Sequence, residues 1–243
     1  MFDHVDIRVA DRAASEAFYD IVLPLVGVEK TYSDDEFTEW GDYGVVGASA
    51  EIPPTQRLHI AFFTPERDEV DTFWRAGTEA GYRSSGGPGV RPEYSQDYYG
   101  AFLLDPDGNS IEAVCHDGAK ERGAIDHMWL RVADVSAAMD FYSAIARFSG
   151  FALHADLRPD RVRFKAASQA SFSLVRGTPS ERVHFAFPAA THDLVDDFHR
   201  VATAAGYRDN GGPGERPIYH EGYYGAFVLD PDGNNIELVD HGR

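Results

Sequence analysis

Two stretches of this chain are nearly identical. The first reads Gly100-Ala101-Phe102-Leu103-Leu104-Asp105-Pro106-Asp107-Gly108-Asn109-Ser110-Ile111-Glu112, and residues 225–237 repeat it as Gly-Ala-Phe-Val-Leu-Asp-Pro-Asp-Gly-Asn-Asn-Ile-Glu. Each copy predicts a strand, a tight turn and a second strand, because Pro suits an early turn position and Gly a position with positive φ. The second strand carries one acid, Glu112 or Glu237. An unpaired carboxylate is rarely buried, so each glutamate is expected to have a partner.

The repeat extends over the whole chain. From residues 57 and 182 onward the two copies align without a gap, and each half predicts the order strand, helix, three strands, twice over. The polar stretch 117–123 shows no periodicity, which is typical of a linker. We therefore predict two domains, residues 1–118 and 125–243, joined by a linker at 119–124.

Local signals place several helix starts. Asp11 and Asp134 each precede a helical pattern and are expected to be N-caps. Thr64 followed by Pro65 predicts the start of another helix. The stretch Ser84-Ser85-Gly86-Gly87-Pro88-Gly89 is interpreted as a turn-rich loop that acts as a mobile lid.

Composition restricts the classes of partner. The net charge of −18 would repel a phosphate backbone, so nucleic acid is not expected as a partner. The single Cys115 fits a reducing, cytoplasmic location. Because no leader precedes the first strand and no long apolar run occurs, neither secretion nor membrane insertion is expected.

Two histidines and one glutamate recur in both halves. Each histidine lies on the polar face of an alternating strand, so two imidazoles and a carboxylate would converge if those faces curl together. Such a set, with open positions, is used by non-haem Fe(II) oxygenases and by catalytic zinc. We predict one metal set in each half: His4, His59 and Glu112; His127, His184 and Glu237. The alternative is that these histidines are hydrogen-bonded structural residues that the duplication copied.

The motifs resemble those of the vicinal oxygen chelate superfamily, which includes glyoxalase I, bleomycin resistance proteins and extradiol dioxygenases. The similar features are the first-strand His, Phe-Tyr in the first helix, "LHIAFF" and "VHFAF", "GGPGVRPEY" and "GGPGERPIY", "YYGAF", and "DPDGNSIE" and "DPDGNNIE". The resemblance implies an α+β fold in which four βαβββ modules pair into two cupped, barrel-like mixed sheets, each with a metal site.

The resemblance also bears on the reaction. Members of the glyoxalase type use a fourth ligand on the last strand of the first module, where this sequence has residues 47–50 and 172–175 without a carboxylate. Glu51 is near, but its counterpart is Arg176, so we interpret it as a surface residue. Two His and one Glu favour an extradiol-like enzyme with Fe(II). A lyase or isomerase with Zn, Ni, Co or Mn is the alternative.

Further residues are assigned by resemblance. His220, Tyr223 and Tyr224 resemble the His and Tyr that extradiol enzymes place beside the iron, whereas the first copy has Ser95 in place of His220. His is suited to acid–base work, so the second half is the first choice for catalysis. The alternative for His220 is a solvated loop residue.

Other side chains are candidates for substrate binding. Arg91 and Arg216 are expected to bind a carboxylate or phosphate, or else to be held by local hydrogen bonds. Trp129 either lines the substrate cup or fills core, and Tyr98 is a further binding candidate. We interpret a second pair, His116 and His241, as surface residues, with support of the metal ligands as the alternative.

These features lead to three functional hypotheses. The protein is an enzyme that binds a small molecule by two neighbouring oxygens, or it sequesters a planar aromatic compound without turnover, or only one half acts while the other is a structural partner. We expect a monomer or a homodimer.

Overall fold

The computed structural model describes residues 2–118, 120–154 and 160–242. The first half contains β1 (Val5–Val9), α1 (Arg12–Val22), β2 (Lys30–Ser33), β3 (Phe37–Trp40), β4 (Tyr43–Gly47), β5 (His59–Phe63), α2 (Arg67–Glu79), β6 (Ser84–Val90), β7 (Tyr99–Leu104) and β8 (Ser110–Cys115). The second half contains β9 (Ile125–Val132), α3 (Val135–Ser149), β10 (Phe151–Leu153), β11 (Arg161–Ala166), β12 (Ser171–Arg176), β13 (His184–Pro188), α4 (His192–Ala204), β14 (Arg208–Glu215), β15 (Tyr224–Leu229) and β16 (Asn235–Asp240). The order strand, helix, three strands occurs four times, which confirms the predicted modules.

The strands form two eight-stranded mixed sheets. One has the order β14-β15-β16-β13-β1-β4-β3-β2, and the other has the order β10-β11-β12-β9-β5-β8-β7-β6. The α+β fold and the pairing of modules are confirmed, but both sheets are open, with an edge strand at each end, instead of closing as a barrel. Within the modules β5 runs parallel to β8, and β7 runs antiparallel to β8.

The chain divides into two compact units. We call Asp6–Trp129 the first unit, and Met1–Val5 together with Leu130–Arg243 the second unit. The domain boundaries proposed from the sequence, 1–118 and 125–243, stay a prediction. Within the described residues, no helix combines the length and the apolar character that crossing a membrane requires.

Two of the three predicted helix starts are confirmed. Asp11 accepts a hydrogen bond from the main-chain N–H of Ala14, and Asp134 caps α3 in the same way. The start at Thr64 is wrong, because α2 begins at Arg67. The N–H of Thr64 donates to the carbonyl of Val114 at 2.9 Å, so this residue still extends the pairing of β5 with β8.

The glycine-rich stretch 84–89 is part of a strand, so its interpretation as a loop and lid is wrong. It forms β6, which pairs antiparallel with β7 through irregular register on both sides of Gly86. The equivalent stretch of the second half forms β14. Both are edge strands, where Pro and bulges are tolerated because one side of the strand needs no ladder partner.

Candidate metal sites

The Asp-Pro-Asp-Gly-Asn turn of the first half is fixed from the helix side. Buried Asp105 accepts hydrogen bonds from the Tyr19 hydroxyl at 2.9 Å and from the main-chain N–H of Asn109 at 2.7 Å. Burial raises the pKa of Asp105, although these donors act against the increase. The side-chain oxygen of Asn109 accepts from the N–H of Leu58 at 3.1 Å. The turn therefore holds the residue next to His59 as well as the strand that carries Glu112.

The second half repeats this arrangement. Asp230 accepts from the Tyr142 hydroxyl at 2.9 Å, and Asn234 accepts from the N–H of Val183 at 3.1 Å, beside His184. The Phe-Tyr pair of the first helix in each half thus has a structural reason. Its tyrosine is the donor that reaches the buried turn carboxylate.

The first site lies within the first unit and joins three strands. It consists of His59 on β5, Glu112 on β8 and His127 on β9. Ala61 of β5 is paired with Glu112 on one side and with His127 on the other, so both side chains flank β5. Nε2 of His59 is 3.2 Å from Nε2 of His127 and 3.1 Å from Oε2 of Glu112, and Nε2 of His127 is 3.4 Å from the same oxygen.

The second site lies within the second unit and has nearly the same dimensions. It consists of His4, His184 and Glu237. Nε2 of His4 is 3.1 Å from Nε2 of His184, and Oε2 of Glu237 is 3.5 Å from the first of these atoms and 3.2 Å from the second.

The predicted grouping by halves is wrong for one member of each set. Each site combines the first histidine of one half with the second histidine and the glutamate of the other half. The cause is strand pairing. β9 pairs antiparallel with β5, and Ala186 of β13 exchanges main-chain hydrogen bonds of 2.9 Å with Asp3 and His4.

The distances fit a single divalent ion. Two ligand atoms at about 2.1 Å from an ion are ~3.0 Å apart when they subtend 90° and ~3.4 Å apart in a tetrahedron. All six distances, from 3.1 to 3.5 Å, agree with such geometry. Oε2 of Glu112 is buried, and among the described residues it has no hydrogen bond of acceptable geometry, although two imidazole nitrogens are near it. An acceptor in this position suits a metal ligand.

The second oxygen of each glutamate is held by a tyrosine. The Tyr98 hydroxyl donates to Oε1 of Glu112 at 2.6 Å, and the Tyr223 hydroxyl donates to Oε1 of Glu237 at 2.7 Å. Burial and the adjacent carboxylate raise the pKa of both tyrosines. The hydroxyl protons therefore stay on the tyrosines and serve to orient the glutamates.

Each first histidine is oriented by the aspartate before it. Nδ1 of His127 is 2.7 Å from Oδ2 of Asp126, and Nδ1 of His4 is 2.9 Å from Oδ1 of Asp3. In the first site Asp126 is the extra residue of a bulge, since Ala61 pairs with His127 and Phe62 with Ile125. Bulges near functional sites redirect side chains in this manner.

Each aspartate has a second histidine partner, contrary to the expectation that both of these histidines are surface residues. Nε2 of His116 is 2.8 Å from Asp126, and Nε2 of His241 is 3.0 Å from Asp3. The signal available in the sequence was the Asp-His pair at the start of each half, together with a His beyond each glutamate on the same strand face. A carboxylate that fixes a ligand histidine is common at metal sites.

Electrostatics keep the glutamates ionised. Burial would raise the pKa of Glu237, but hydrogen bonds and charges from His184 and His4 outweigh it and lower the pKa to about 2. The pKa of Glu112 is likewise lowered against the effect of burial. Burial would lower the pKa of His127, yet Asp126 and Glu112 raise it to about 9.

Two residues predicted to be catalytic, His220 and Tyr224, have hydrogen-bond partners outside the two sets of candidate ligands. Nε2 of His220 is 2.9 Å from Nδ1 of His241, whose Nε2 contacts Asp3, and Asp3 in turn contacts His4. The Tyr224 hydroxyl donates to Asp196 of α4 at 2.8 Å, on the helix side of the sheet.

The two arginines are held by their own strands. Arg91 donates to the carbonyl of Gly87, and Arg216 donates to that of Gly212, both at 2.6 Å. Each guanidinium also lies over a phenylalanine ring, with 5.5 Å to Phe102 in the first case. The local hydrogen bonds that the sequence left as an alternative are thus present, and a role in substrate binding stays a prediction.

Aromatic rings surround the first site. The Trp129 ring lies 5.2 Å from the His59 ring and 5.8 Å from that of Tyr94, measured between centroids. Phe102 lies 6.0 Å from His59.

Glu51 is exposed and accepts a hydrogen bond from Ser49, as expected for a surface residue.

Paired βαβββ modules that present these triads define a vicinal oxygen chelate fold. The chain belongs to the Glyoxalase/Bleomycin resistance protein/Dioxygenase superfamily, whose sequence profile matches residues 1–113 and 124–238. Glyoxalase I from Zea mays is similar in structure, with a TM-score of 0.69 at 18% identity over 99% of this chain and 92% of that chain. A "putative dioxygenase" from Bacillus subtilis has a TM-score of 0.66 at 15% identity over 100% of this chain and 85% of that chain. A comparison with curated protein sequences gives no match.

Proposed function

We propose that the protein is a metal-dependent enzyme that binds a small molecule through two adjacent oxygens, with Fe(II) and extradiol-type ring opening as the favoured form. The supporting observation is that each site brings two imidazole nitrogens and one carboxylate oxygen within 3.5 Å of one another. Two His and one carboxylate are typical of non-haem Fe(II) oxygenases. A bound metal would supply a Lewis acid with open positions for substrate oxygens and O₂.

The number of ligands supports this form over a lyase. β4 has the sequence Tyr-Gly-Val-Val-Gly and β12 has Ser-Phe-Ser-Leu-Val-Arg, so neither strand offers a carboxylate as a fourth ligand. A lyase or isomerase with Zn, Ni, Co or Mn is the second candidate, because the same donor atoms also suit zinc.

The protein residues prepare the donor atoms. Asp126 and Asp3 contact Nδ1 of the neighbouring histidines and thereby direct Nε2 of each imidazole into its site. Tyr98 and Tyr223 direct Oε2 of each glutamate inward by holding Oε1. These contacts reduce the cost of ordering the ligands when a metal binds.

The surroundings of the first site support a planar aromatic substrate. Trp129 and Phe102 lie close to His59, and Tyr94 packs edge-on against Trp129. Aromatic rings pair favourably in offset or edge-to-face contacts, worth about 0.5–1.5 kcal/mol each. A catechol would combine such a ring with two adjacent oxygens.

Oxygen uptake tests the proposal. Protein loaded with Fe(II) under anaerobic conditions is mixed with catechols in aerated buffer, and we expect consumption of one O₂ per catechol as both oxygen atoms enter the opened ring. The double variant His59→Ala/His184→Ala should show no uptake. Tyr99→Phe, whose hydroxyl contacts Asp71 instead of a triad, is the matched control and should keep the rate of the native chain.

Other outcomes would replace the proposal. Conversion of a hemithioacetal by Zn- or Ni-loaded protein, without O₂ uptake by the Fe(II) form, would establish the lyase. Retention of an aromatic ligand after chelation, without turnover by any metal form, would establish a sequestering protein.

A further inference from the structure

A lysine with a buried side chain contacts the network behind the first site. Nζ of Lys120 contacts Oδ1 of Asp126 and lies 3.5 Å from the main-chain oxygen of the same residue. The side chains are only 5% and 6% exposed. A charge this deeply buried is retained where an opposite charge compensates it, and Asp126 supplies that charge.

Asp126 connects this ammonium group to a metal ligand. Oδ1 of Asp126 contacts both Nζ of Lys120 and Nε2 of His116, the latter at 2.8 Å. The other oxygen is 2.7 Å from Nδ1 of His127. A single carboxylate thus separates the lysine from a ligand histidine.

The second site has a different network. Asp3 contacts His4 and His241, and among the described residues it contacts no lysine or arginine. Nδ1 of His241 is in turn 2.9 Å from Nε2 of His220. The two sites therefore have matching donor atoms, but in the part of the chain that the structure describes a lysine contacts the supporting aspartate only in the first site.

We propose that Lys120 is a positioning residue that weakens divalent-metal binding at the first site and makes the two sites unequal. The inference rests on the proposed metal binding. A fixed positive charge opposes a dication through the low-dielectric interior. The ammonium also draws negative charge of Asp126 away from His127, which makes the imidazole a weaker donor.

The test uses the first site alone, in a His184→Ala background. Zn²⁺ affinity is measured by competition with a chromophoric chelator, and the absorption of bound Co²⁺ reports on the ligand field. Lys120→Met should tighten Zn²⁺ binding about three- to tenfold, as expected for removal of one charge several ångströms from the ion, and should alter the Co²⁺ spectrum. Lys120→Arg should retain the affinity of its parent.

A control separates charge from position. Lys30→Met removes the same charge from an exposed pair with Asp20 and should leave the affinity unchanged. Equal or weaker binding by Lys120→Met would overturn the inference, even if the variant is less stable. If the His184→Ala parent binds no Zn²⁺ and the native chain binds none either, the proposed metal function itself fails.

Discussion

At the scale of single residues, each site depends on a buried glutamate. Glu112 and Glu237 are both 1% exposed, and each accepts a hydrogen bond from a buried tyrosine. Removal of that donor would leave a carboxylate oxygen buried without its partner. A hydrogen bond to a charged group contributes about 1.5–3 kcal/mol, and the loss of an outer partner typically costs ~10–100-fold in metal affinity.

We therefore expect Tyr98→Phe to weaken Zn²⁺ binding at the first site by about tenfold or more. The free energy of unfolding should also fall by about 1.5–3 kcal/mol. Competition with a chelator in the His184→Ala background measures the first quantity, and urea denaturation measures the second. Tyr99→Phe is the control. An unchanged affinity in Tyr98→Phe would show that Glu112 is oriented without its tyrosine.

At the scale of secondary-structure elements, the two halves differ in how a helix packs against a strand. The first half packs α2 against β7 and the second half packs the equivalent α4 against β15, with different residues at the contact. Gly77 of α2 faces Leu103 of β7, and a Cβ atom at Gly77 would lie 2.4 Å from a Leu103 methyl group. The repeat places Ala202 and Val228 at the corresponding positions of α4 and β15. A methyl group gained on the helix is thus offset by one lost from the strand.

This exchange predicts a coupled pair. Gly77→Ala gains about 1 kcal/mol of helix propensity, but it forces overpacking that typically costs about 1–3 kcal/mol. The single variant should therefore be no more stable than the native chain. Addition of Leu103→Val should recover stability, with a coupling energy of about 1 kcal/mol or more in a double-mutant cycle. Strict additivity of the two changes in unfolding free energy would contradict the packing argument.

At the scale of the whole molecule, the ligands of each site come from both halves of the sequence. Paired substitutions distinguish this arrangement from one with a site in each half. The native chain should bind two equivalents of Zn²⁺, and His4→Ala/His184→Ala should bind one because both changes fall in the same site. His4→Ala/His59→Ala should bind none with comparable affinity, because each site then lacks one ligand. The opposite pattern would restore the grouping by halves.

Metal removal should lower the stability of the whole chain. A ligand that binds only the folded state at about 100 times its Kd adds ~2.7 kcal/mol per site. Protein dialysed against chelator should therefore unfold at a lower temperature, and Zn²⁺ should restore the higher midpoint. His59→Ala/His184→Ala should show little change in Tm on addition of Zn²⁺. A full Zn²⁺ response in this variant would mean that the metal acts elsewhere.

The modules and the types of candidate ligand are recognisable from local sequence patterns. The repeated turn motif, the alternating strands and the caps at Asp11 and Asp134 act over a few residues, so their patterns can be recognised without the fold. The six candidate ligand residues were also identified from such patterns. The Asp and Asn of the turn motif can be recognised in the sequence. Their hydrogen-bond partners, such as Tyr19 and Leu58, are visible only in the structure.

Which of the candidate ligands share a site depends on the tertiary structure. β1 and β9, the first strands of the two halves, have similar sequences. Neither their pattern nor their spacing indicates which of them will lie beside β5 and which beside β13. That choice depends on hydrogen bonds between strands far apart in sequence, as between β9 and β5. Pairing with β7 likewise makes the glycine-rich stretch the strand β6, which its composition does not indicate. Local sequence determines which groups each strand presents, whereas the pairing of distant strands determines which groups meet.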